Sequence, residues 1–492
     1  MSRFKLIFVL SLMLLTLPAC TLASASIPTP HPTATSLRMP ATTAVPTLAR
    51  ALNPVTVPAS SRTTATPTDP APSAQADACT PDADSLTQHV VSVQLDYTAR
   101  TIQARHRVEY VNRSGETLKD LVLNIEPNRW LEAFTLIGVL QDTDSGDTQP
   151  AYDLTGRRLY IELAEPLAEG CTLTLNMMYS IAIPPVRTGV DAFKGFFGYS
   201  PRQINLGHWL PTVAERIKGE WITRPAIFVG EQEVIGVADW DVTLTLQNAP
   251  EGIVVAAPGD AETLNDTQTR YTFKHARDFT MSIGEGFKVA RVQAESGVTI
   301  ELYTFDDAIL YTASGVIDGA NHALNVGLRS FESYEKLFGA YPYSRLLIVQ
   351  GDFPDGMEFS GIVFVSTTWF KGWTGQPNEF LTLITVHEVS HQWWYARVGN
   401  DAALAPWLDE ALSTYSEYIF LEEYYPNLKD WWWDFRVRSH SPQGFVDSTV
   451  YEFTSIREYI NAVYLRGVSM LHAVRNDIGT EAFFELLRRY AE

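Results

Sequence analysis

One short segment of this sequence has residue types and a spacing suited to metal-dependent hydrolysis. In His387-Glu388-Val389-Ser390-His391 the two histidines are four residues apart, so a helix places both imidazoles on one face, within reach of one ion. Glu388 can deprotonate a water at that ion. After eighteen intervening residues, Glu410 can supply a third ligand from a second helix. Three ligands leave one position open, which predicts a catalytic site with a single zinc ion.

The alternative for this segment is a buried helix with two hydrogen-bonded histidines. Its flanks, Leu381–Thr385 and Trp393–Tyr395, are apolar, and three polar groups inside a buried helix are costly unless a metal or hydrogen bonds satisfy them. Gly399 and Pro406 predict a helix stop and restart, so the helix that carries Glu410 can return antiparallel. These features favour the zinc site.

The motif has neighbours that resemble a known family. His387-Glu388-Val389-Ser390-His391-Gln392-Trp393-Trp394, with Trp407-Leu408-Asp409-Glu410-Ala411 behind it, resembles the gluzincin aminopeptidases, which include aminopeptidase N and leukotriene hydrolase. The resemblance implies that His387, His391 and Glu410 bind zinc and that Glu388 is the general base.

Two further segments extend the resemblance. Gly356-Met357-Glu358-Phe359 resembles the family's Gly-x-Met-Glu-Asn segment, whose glutamate binds the terminal ammonium of the substrate. A carboxylate on a strand edge can do this by charge-assisted hydrogen bonding, whereas the alternative for Glu358 is a solvated turn. Tyr464-Leu465-Arg466-Gly467 resembles the Tyr-x-Lys-Gly segment, whose tyrosine stabilises the oxyanion. The alternative for Tyr464 is a core tyrosine.

The sequence also departs from the family pattern. Phe359 stands where the family often has Asn, and Asp355 stands where the first Gly usually lies, so substrate preference does not carry over. The glutamine-bearing segment of the β domain is not recognisable, and Gln203 is a weak candidate for it. Glu417, two helical turns after Glu410, could contact a ligand histidine, but a surface position is the preferred interpretation.

Two other groups favour structural roles. The run Trp431-Trp432-Trp433 is interpreted as core packing rather than a substrate groove, and His208 as a structural residue rather than a ligand. The chain stops inside an amphipathic pattern, Phe483 to Tyr490, where relatives usually continue. We expect either a compact form of the family or a fragment.

Composition restricts the partners. The chain has 492 residues, which is enough for two or three domains. Its net charge of −20 repels nucleic acid phosphates and anionic headgroups. We therefore expect no nucleic acid partner, while the family resemblance implies peptide substrates.

The N-terminus reads as an export signal at residues 1–19. Arg3 and Lys5 precede an apolar run, Leu6 to Leu17, that is short for a membrane span. Leu17-Pro18-Ala19-Cys20 resembles a bacterial lipobox, although Pro18 is unusual there. We expect lipid at Cys20 to anchor the protein to the extracytoplasmic face of a bacterial membrane, its only membrane contact. The alternative is an ordinary signal peptide with an incidental cysteine.

Cysteine usage agrees with export. If Cys20 carries lipid, Cys79 and Cys171 remain, and an exported protein most simply pairs them. The alternative is two buried free thiols.

Composition and periodicity then divide the chain. Residues 20–78 are rich in Thr, Pro, Ala and Ser and form an extended linker. Alternating apolar residues from about 85 predict a domain at 79–288 that is an antiparallel β sandwich or saddle. Mixed patterns at 289–492 predict a thermolysin-like α/β catalytic domain, with a helix over Leu324 to Phe338 that ends at Gly339.

Taken together, the sequence predicts an α+β multidomain zinc metallopeptidase that removes N-terminal residues from peptides. The alternatives are a catalytically impaired peptide-binding module on the same fold and a thermolysin-like endopeptidase. A peptide with a blocked N-terminus distinguishes the aminopeptidase, which should spare it, from the endopeptidase, which should cut it.

Overall fold

The fold is given by a computed structural model, which describes Cys79, residues 85–187 and residues 194–492. The expected leader at 1–19, Cys20 and the linker at 20–78 lie outside the described residues. Within the described parts, no helix combines the length and the apolar character needed to cross a membrane.

The first part of the chain is built from β strands, as the alternating pattern predicted. In β1 the inward residues Val91, Val93 and Leu95 are buried and their neighbours are exposed, because successive side chains of a strand point to opposite faces. The strands are β1 Thr87–Asp96, β2 Thr101–Val111, β3 Leu118–Asn124, β4 Phe134–Thr143, β5 Gly146–Thr148, β6 Ala151–Thr155, β7 Arg158–Leu167, β8 Thr172–Ala182, β9 Phe197–Tyr199, β10 Gln203–Leu206, β11 Thr212–Val213, β12 Arg216–Ile217, β13 Glu220–Trp221, β14 Ala238–Gln247, β15 Ile253–Ala256, β16 Asp260–Asn265, β17 Gln268–Ala276 and β18 Met281–Glu285.

These strands form a layered β domain. An eight-stranded sheet has the order β16-β17-β14-β1-β2-β8-β4-β5, and two four-stranded sheets have the orders β15-β18-β10-β9 and β11-β3-β7-β6. Residues from all three sheets share one apolar core. Pairing is antiparallel except between β1 and β14, which run parallel. The predicted β-domain class is confirmed, with this one parallel pair as an addition.

The predicted disulfide is present between Cys79 and Cys171. It ties the segment before β1 to the residue that precedes β8, 92 residues later in the sequence. Closing a loop of this length restricts the unfolded chain and stabilises the fold by on the order of 4 kcal/mol in the chain-entropy treatment.

A buried histidine pair links β1 and β2 inside this domain. His89 Nδ1 lies 2.9 Å from His106 Nε2, His89 stacks on Trp240, and both imidazoles are almost fully buried. Burial lowers the pKa of His89 to about 3 and lowers the pKa of His106 well below its usual value, with His89 adding to the effect. Both histidines are therefore neutral in the folded protein, and one ring donates to the other.

This pair predicts acid sensitivity of the fold. Below about pH 6.5 the unfolded chain protonates both histidines and the folded chain does not. The free energy of unfolding is therefore unaffected by these histidines above that pH and falls as the pH drops towards 3. We expect each histidine to contribute up to about 1.4 kcal/mol of lost stability per pH unit. Denaturant unfolding at pH 7 and pH 5 should show a smaller loss in the double variant His89→Gln/His106→Gln than in the wild type. His275→Gln, at an exposed histidine, is the control, and equal losses in all three proteins would contradict the assignment.

The second part of the chain is a mixed sheet covered by helices. The sheet order is β19-β20-β23-β25-β24, parallel from β20 through β25 and antiparallel at both edges. Its strands, with a separate hairpin of β21 and β22, are β19 Lys288–Gln293, β20 Thr299–Thr304, β21 Ile309–Thr312, β22 Gly315–Asp318, β23 Arg345–Gly351, β24 Gly356–Phe359 and β25 Ile362–Ser366. The helices are α1 Gly319–Phe338, α2 Thr367–Gly372, α3 Phe380–His391, α4 Trp407–Tyr424, α5 Lys429–Trp432, α6 Ile456–Tyr459, α7 Gly467–Ile478 and α8 Thr480–Ala491, with π-helical turns at Gln392–Arg397, Trp433–Val437 and Ile460–Arg466.

Helix α1 shows how the sequence sets these boundaries. The Asp318 side chain accepts a hydrogen bond from the backbone N–H of Asn321 and caps the start. Gly339 ends the helix with φ +111°, a conformation that favours glycine. The predicted helix and its stop are therefore confirmed.

The second core surrounds α3. Trp393, Trp394 and Trp432 are fully buried there, while Trp431 and Trp433 pack against its edge. The tryptophan run is thus part of the core, as expected. This packing holds α3 and α4 side by side, with the motif histidines on one and Glu410 on the other.

Candidate active site

The three residues predicted to bind a metal lie close together in the structure. His387 and His391 lie one turn apart on α3, and Glu410 lies in the first turn of α4, which begins after Pro406. Glu410 Oε2 is 3.3 Å from His387 Nε2 and 3.8 Å from His391 Nε2. One ligand atom from each of the three residues lies within 4.8 Å of the others, and all three residues are buried.

The remaining histidine nitrogens show that this donor set fits zinc. His391 Nδ1 contacts Asp409 Oδ1 at 2.6 Å, and His387 Nδ1 contacts Glu417 Oε1 at 3.1 Å. A carboxylate on Nδ1 orients the ring and leaves Nε2 free to coordinate. Two imidazole nitrogens and one carboxylate oxygen are the set that catalytic zinc takes with a position open.

Glu417 corrects the interpretation of a surface glutamate. It is fully buried, because it lies seven residues after Glu410 on the same face of α4, directed at the histidines. Arg436 donates to it through Nε at 3.1 Å and through Nη2 at 3.0 Å, and Trp432 Nε1 donates at 3.0 Å. Burial alone would raise the pKa of Glu417, but Arg436 and His387 outweigh it and lower that pKa.

Arg436 therefore holds the carboxylate that orients a metal ligand. Replacing Arg436 by Met removes both hydrogen bonds and the charge while keeping the length of the side chain. We expect the affinity for zinc to fall about 10–100-fold, as for other losses of outer contacts to a ligand. Competition with a chromophoric chelator measures this, with Arg438→Met, at an exposed arginine that pairs with Asp434, as the control. Equal zinc affinities in the two variants would contradict the role.

The proposed amine-binding segment lies on an edge strand beside the metal ligands. Glu358 is on β24, which pairs antiparallel with β25 and forms the edge of the sheet. It is only 4% exposed, and its Oε1 has no hydrogen-bond partner among the described residues. This replaces the alternative of a solvated turn glutamate. Burial raises the pKa of Glu358 well above its usual value, and Glu231 and Glu410 add to the rise against His391.

The residues around Glu358 differ in what they contact. A Cβ atom at Gly356 would lie 2.2 Å from Glu388 Oε1, so the strand needs glycine there to approach Glu388. Met357 is buried and lines the same cleft. Phe359 faces the other way and packs edge-on against His208 and Phe196, which gives His208 a structural role.

Tyr464 lines the same cleft as Glu358. It belongs to the π-helical turn Ile460–Arg466, and its ring is parallel to His387, with 6.1 Å between the ring centroids. Burial together with the neighbouring Glu410 carboxylate raises the pKa of Tyr464 well above the usual value. The hydroxyl is therefore protonated, and it lies beside the metal ligands.

Sequence reasoning missed Glu231. It comes from the coil between β13 and β14, and one of its oxygens lies within 4.8 Å of oxygens of Glu358 and Glu410. Lys194 Nζ lies 3.9 Å from Glu231 Oε1. Burial raises the pKa of Glu231 to about 8, against the effect of Lys194. The weak candidate Gln203 is instead buried between the domains, where it donates to Ser282 and to the carbonyl of Gln350.

One cleft of about 430 Å³ is lined by polar and apolar side chains of the site. The polar ones include the three predicted metal ligands, Glu388, Glu231, Glu358 and Tyr464. The apolar ones are Phe228, Val229, Met357, Trp369, Ile384, Ile456 and Ile460. The cleft thus combines a possible metal site with further carboxylates and an apolar surface.

The fold and the arrangement of the site residues resemble those of two-domain M1 zinc metallopeptidases. Comparison with known proteins supports an aminopeptidase N-like family, since residues 322–492 match the peptidase family M1 domain. Aminopeptidase M1-D from rice (Oryza sativa subsp. japonica) is 22% identical over 200 residues, 37% of this chain and 22% of that protein. Human endoplasmic reticulum aminopeptidase 2 is 28% identical over 210 residues, 40% of this chain and 21% of that protein. The aligned part spans about a fifth of the length of these relatives.

Solved structures agree on the fold. An M1 zinc metallopeptidase from Deinococcus radiodurans aligns with a TM-score of 0.57 and 18% identity, covering 83% of this chain and 86% of that one. A variant of that enzyme bound to a Tyr-Ser-Ala substrate aligns with a TM-score of 0.56 and 16% identity over the same shares. The β-rich domain followed by a helical and sheet-containing catalytic domain is therefore a known arrangement, and the predicted fold class is confirmed.

Proposed function

We propose that this chain is a zinc aminopeptidase that hydrolyses the first peptide bond of peptides. The observation that carries the proposal is the position of the partly buried Glu231 and the buried Glu358, each with a carboxylate oxygen within 4.8 Å of one of Glu410. A peptide's terminal ammonium is the substrate group that such a pair would hold. Holding it there places the first peptide bond, and no later one, beside the metal ligands.

The residues around the metal site have separable tasks in this reaction. Zinc, when bound by His387, His391 and Glu410, supplies Lewis acidity for the scissile carbonyl and for the attacking water. Glu388 is 5% exposed and its Oε2 has no hydrogen-bond partner among the described residues. Its carboxylate takes a proton from the attacking water and delivers it to the nitrogen of the leaving amine. The Tyr464 hydroxyl donates to the carbonyl oxygen as negative charge develops on that oxygen.

The apolar side chains of the cleft would determine which first residue of a peptide substrate is preferred. Phe228 and Val229 belong to the same segment as Glu231, and a Cβ atom at Gly230 would lie 3.0 Å from the Tyr459 hydroxyl. This segment therefore packs against the helix that presents Ile456 and Ile460 to the cleft. A side chain next to an ammonium held by Glu231 and Glu358 would meet this apolar surface, so the proposed enzyme prefers apolar first residues.

Export and lipid anchoring belong to the same proposal. Their support is the sequence before residue 79, with Arg3, Lys5, the apolar run Leu6 to Leu17 and Cys20. The Cys79–Cys171 disulfide agrees with an oxidising compartment. Labelling of cells with a radioactive fatty acid tests the anchor. The wild-type protein should carry the label, and the Cys20→Ser variant should not.

Hydrolysis of aminoacyl nitroanilides tests the proposed reaction. Zinc-loaded protein should release nitroaniline, lose this activity on dialysis against a chelator and regain it with added zinc. His387→Gln, which lacks one ligand, should stay inactive at the same zinc concentration. If zinc-loaded protein releases nothing from a panel of such substrates, the proposal fails, and the binding module and the endopeptidase remain as the alternatives.

A further inference from the structure

Three carboxylates that line the cleft lie close enough together to bind one cation. The carboxylate triad consists of Glu231, Glu358 and Glu410, whose oxygens lie within 4.8 Å of one another. The Glu358 residue is only 4% exposed, and its Oε1 has no hydrogen-bond partner among the described residues. A buried carboxylate without partners is costly, so this oxygen indicates a ligand.

The surrounding side chains balance only part of this charge. Lys194 lies 3.9 Å from Glu231, and its ammonium also donates to the carbonyl of Gly230 at 3.0 Å. Arg436, another cation of the cleft, is committed to Glu417. A cation between the three carboxylates would be attracted to each of them and could contact the unpartnered oxygen of Glu358.

Glu410 connects the triad to the metal-binding residues. Its Oε2 faces His387 at 3.3 Å and His391 at 3.8 Å, and a carboxylate has a second oxygen. Glu410 can therefore bind zinc on one side and still offer an oxygen to the triad. The two groups of ligands share this residue, and their chemistry differs, since one includes two imidazoles and the other contains carboxylates alone.

We propose that the carboxylate triad binds a second divalent cation, and that this cation and the substrate's ammonium exclude each other. An all-carboxylate donor set suits hard ions such as Mn²⁺, Ca²⁺ and Mg²⁺, whereas the histidine-containing set prefers zinc over Mn²⁺. The exclusion rests on the proposed function of Glu231 and Glu358 in holding the ammonium. Its consequence is that excess divalent cation inhibits the enzyme competitively, by occupying the place of the peptide's N-terminus.

Binding of Mn²⁺ to protein that already holds one equivalent of zinc tests the site. Electron paramagnetic resonance of free Mn²⁺ should show one bound ion per chain in the wild type. Glu231→Gln and Glu358→Gln each remove one charged ligand and should weaken Mn²⁺ binding about tenfold or more. Asp355→Asn is the matched control, because Asp355 lines the same cleft outside the triad, and it should keep the wild-type Mn²⁺ affinity. Thermal unfolding of each variant checks that it is folded.

The amine arm of the experiment separates the two proposals. Leucine amide, which carries the ammonium without a second peptide bond, should displace Mn²⁺ from the wild type. If leucine amide does not displace Mn²⁺ that binds through Glu231 and Glu358, the mutual exclusion is overturned and the cation site still stands. No bound Mn²⁺, or equal affinities in the wild type and both triad variants, would overturn the cation site itself. Nitroanilide hydrolysis is measured separately, so a failure of the proposed function is seen independently of either result.

Discussion

Replacing Glu388 by Gln should lower turnover of a peptide or nitroanilide substrate by about 10²–10⁴-fold, the usual contribution of a positioned general base. The substitution keeps the size of the side chain, so the close approach of Gly356 to this residue is preserved. Gln cannot accept the proton of the attacking water. Steady-state rates of the zinc-loaded proteins measure the effect, which should fall on kcat because the step involves the transition state.

Zinc content is the control for this variant. Glu388 is outside the group formed by His387, His391 and Glu410, so the variant should bind one zinc as the wild type does. A variant that binds zinc and keeps wild-type turnover would show that Glu388 is not the base. If the variant loses zinc, the missing metal would itself explain the loss of turnover. Glu388→Asp would then be measured in its place.

Replacing Tyr464 by Phe should lower kcat by about 10²–10³-fold, the effect of removing one donor to a developing oxyanion. The ring and its parallel contact with His387 would remain, and only the hydroxyl would be lost. Because the hydroxyl acts on charge that develops during the reaction, KM should change much less than kcat.

Tyr459→Phe is the matched control for Tyr464→Phe. Tyr459 lines the same cleft, its ring lies 5.5 Å from that of Tyr464, and its hydroxyl has no hydrogen-bond partner among the described residues. Its loss should therefore change kcat by a far smaller factor. Equal losses in the two variants would show that the hydroxyl of Tyr464 has no special place in the reaction.

The metal centre could be predicted because its information is local in the sequence. Two histidines at a spacing of four residues share a helix face whatever the rest of the fold does. The Glu358 segment could be placed by its resemblance and by its position before the strand β25. In each case the chemistry depends on residues that lie within a few positions of a motif.

Glu231 and Glu417 could not be identified in this way. Glu231 lies in a coil between β13 and β14, and a network that includes the buried pair of Glu233 and Arg157, 2.6 Å apart, fixes this segment. Hydrophobic periodicity in the sequence does not predict the path of such a coil segment. Glu417 had the right spacing on α4, but its burial depends on Arg436, which a separate segment supplies. The parallel pairing of β1 with β14 was missed for a similar reason, since alternation identifies strands and not their neighbours.

The departures from the family pattern also have physical explanations. Phe359 belongs to an aromatic cluster with Phe196, His208 and Phe364, so this position contributes to packing between the domains. Asp355 adopts φ +67°, a conformation in which glycine is favoured and aspartate is tolerated. Asp355 therefore adopts a backbone conformation that glycine also adopts readily.

Two peptides of identical sequence, one with a free N-terminus and one N-acetylated, test the central claim most directly. Each is incubated with zinc-loaded protein, and the products are identified by mass spectrometry. If Glu231 and Glu358 hold the ammonium beside the metal centre, the free peptide loses single residues from its N-terminus and the acetylated peptide stays intact. Internal cleavage of the acetylated peptide at a comparable rate would contradict this account and show an endopeptidase.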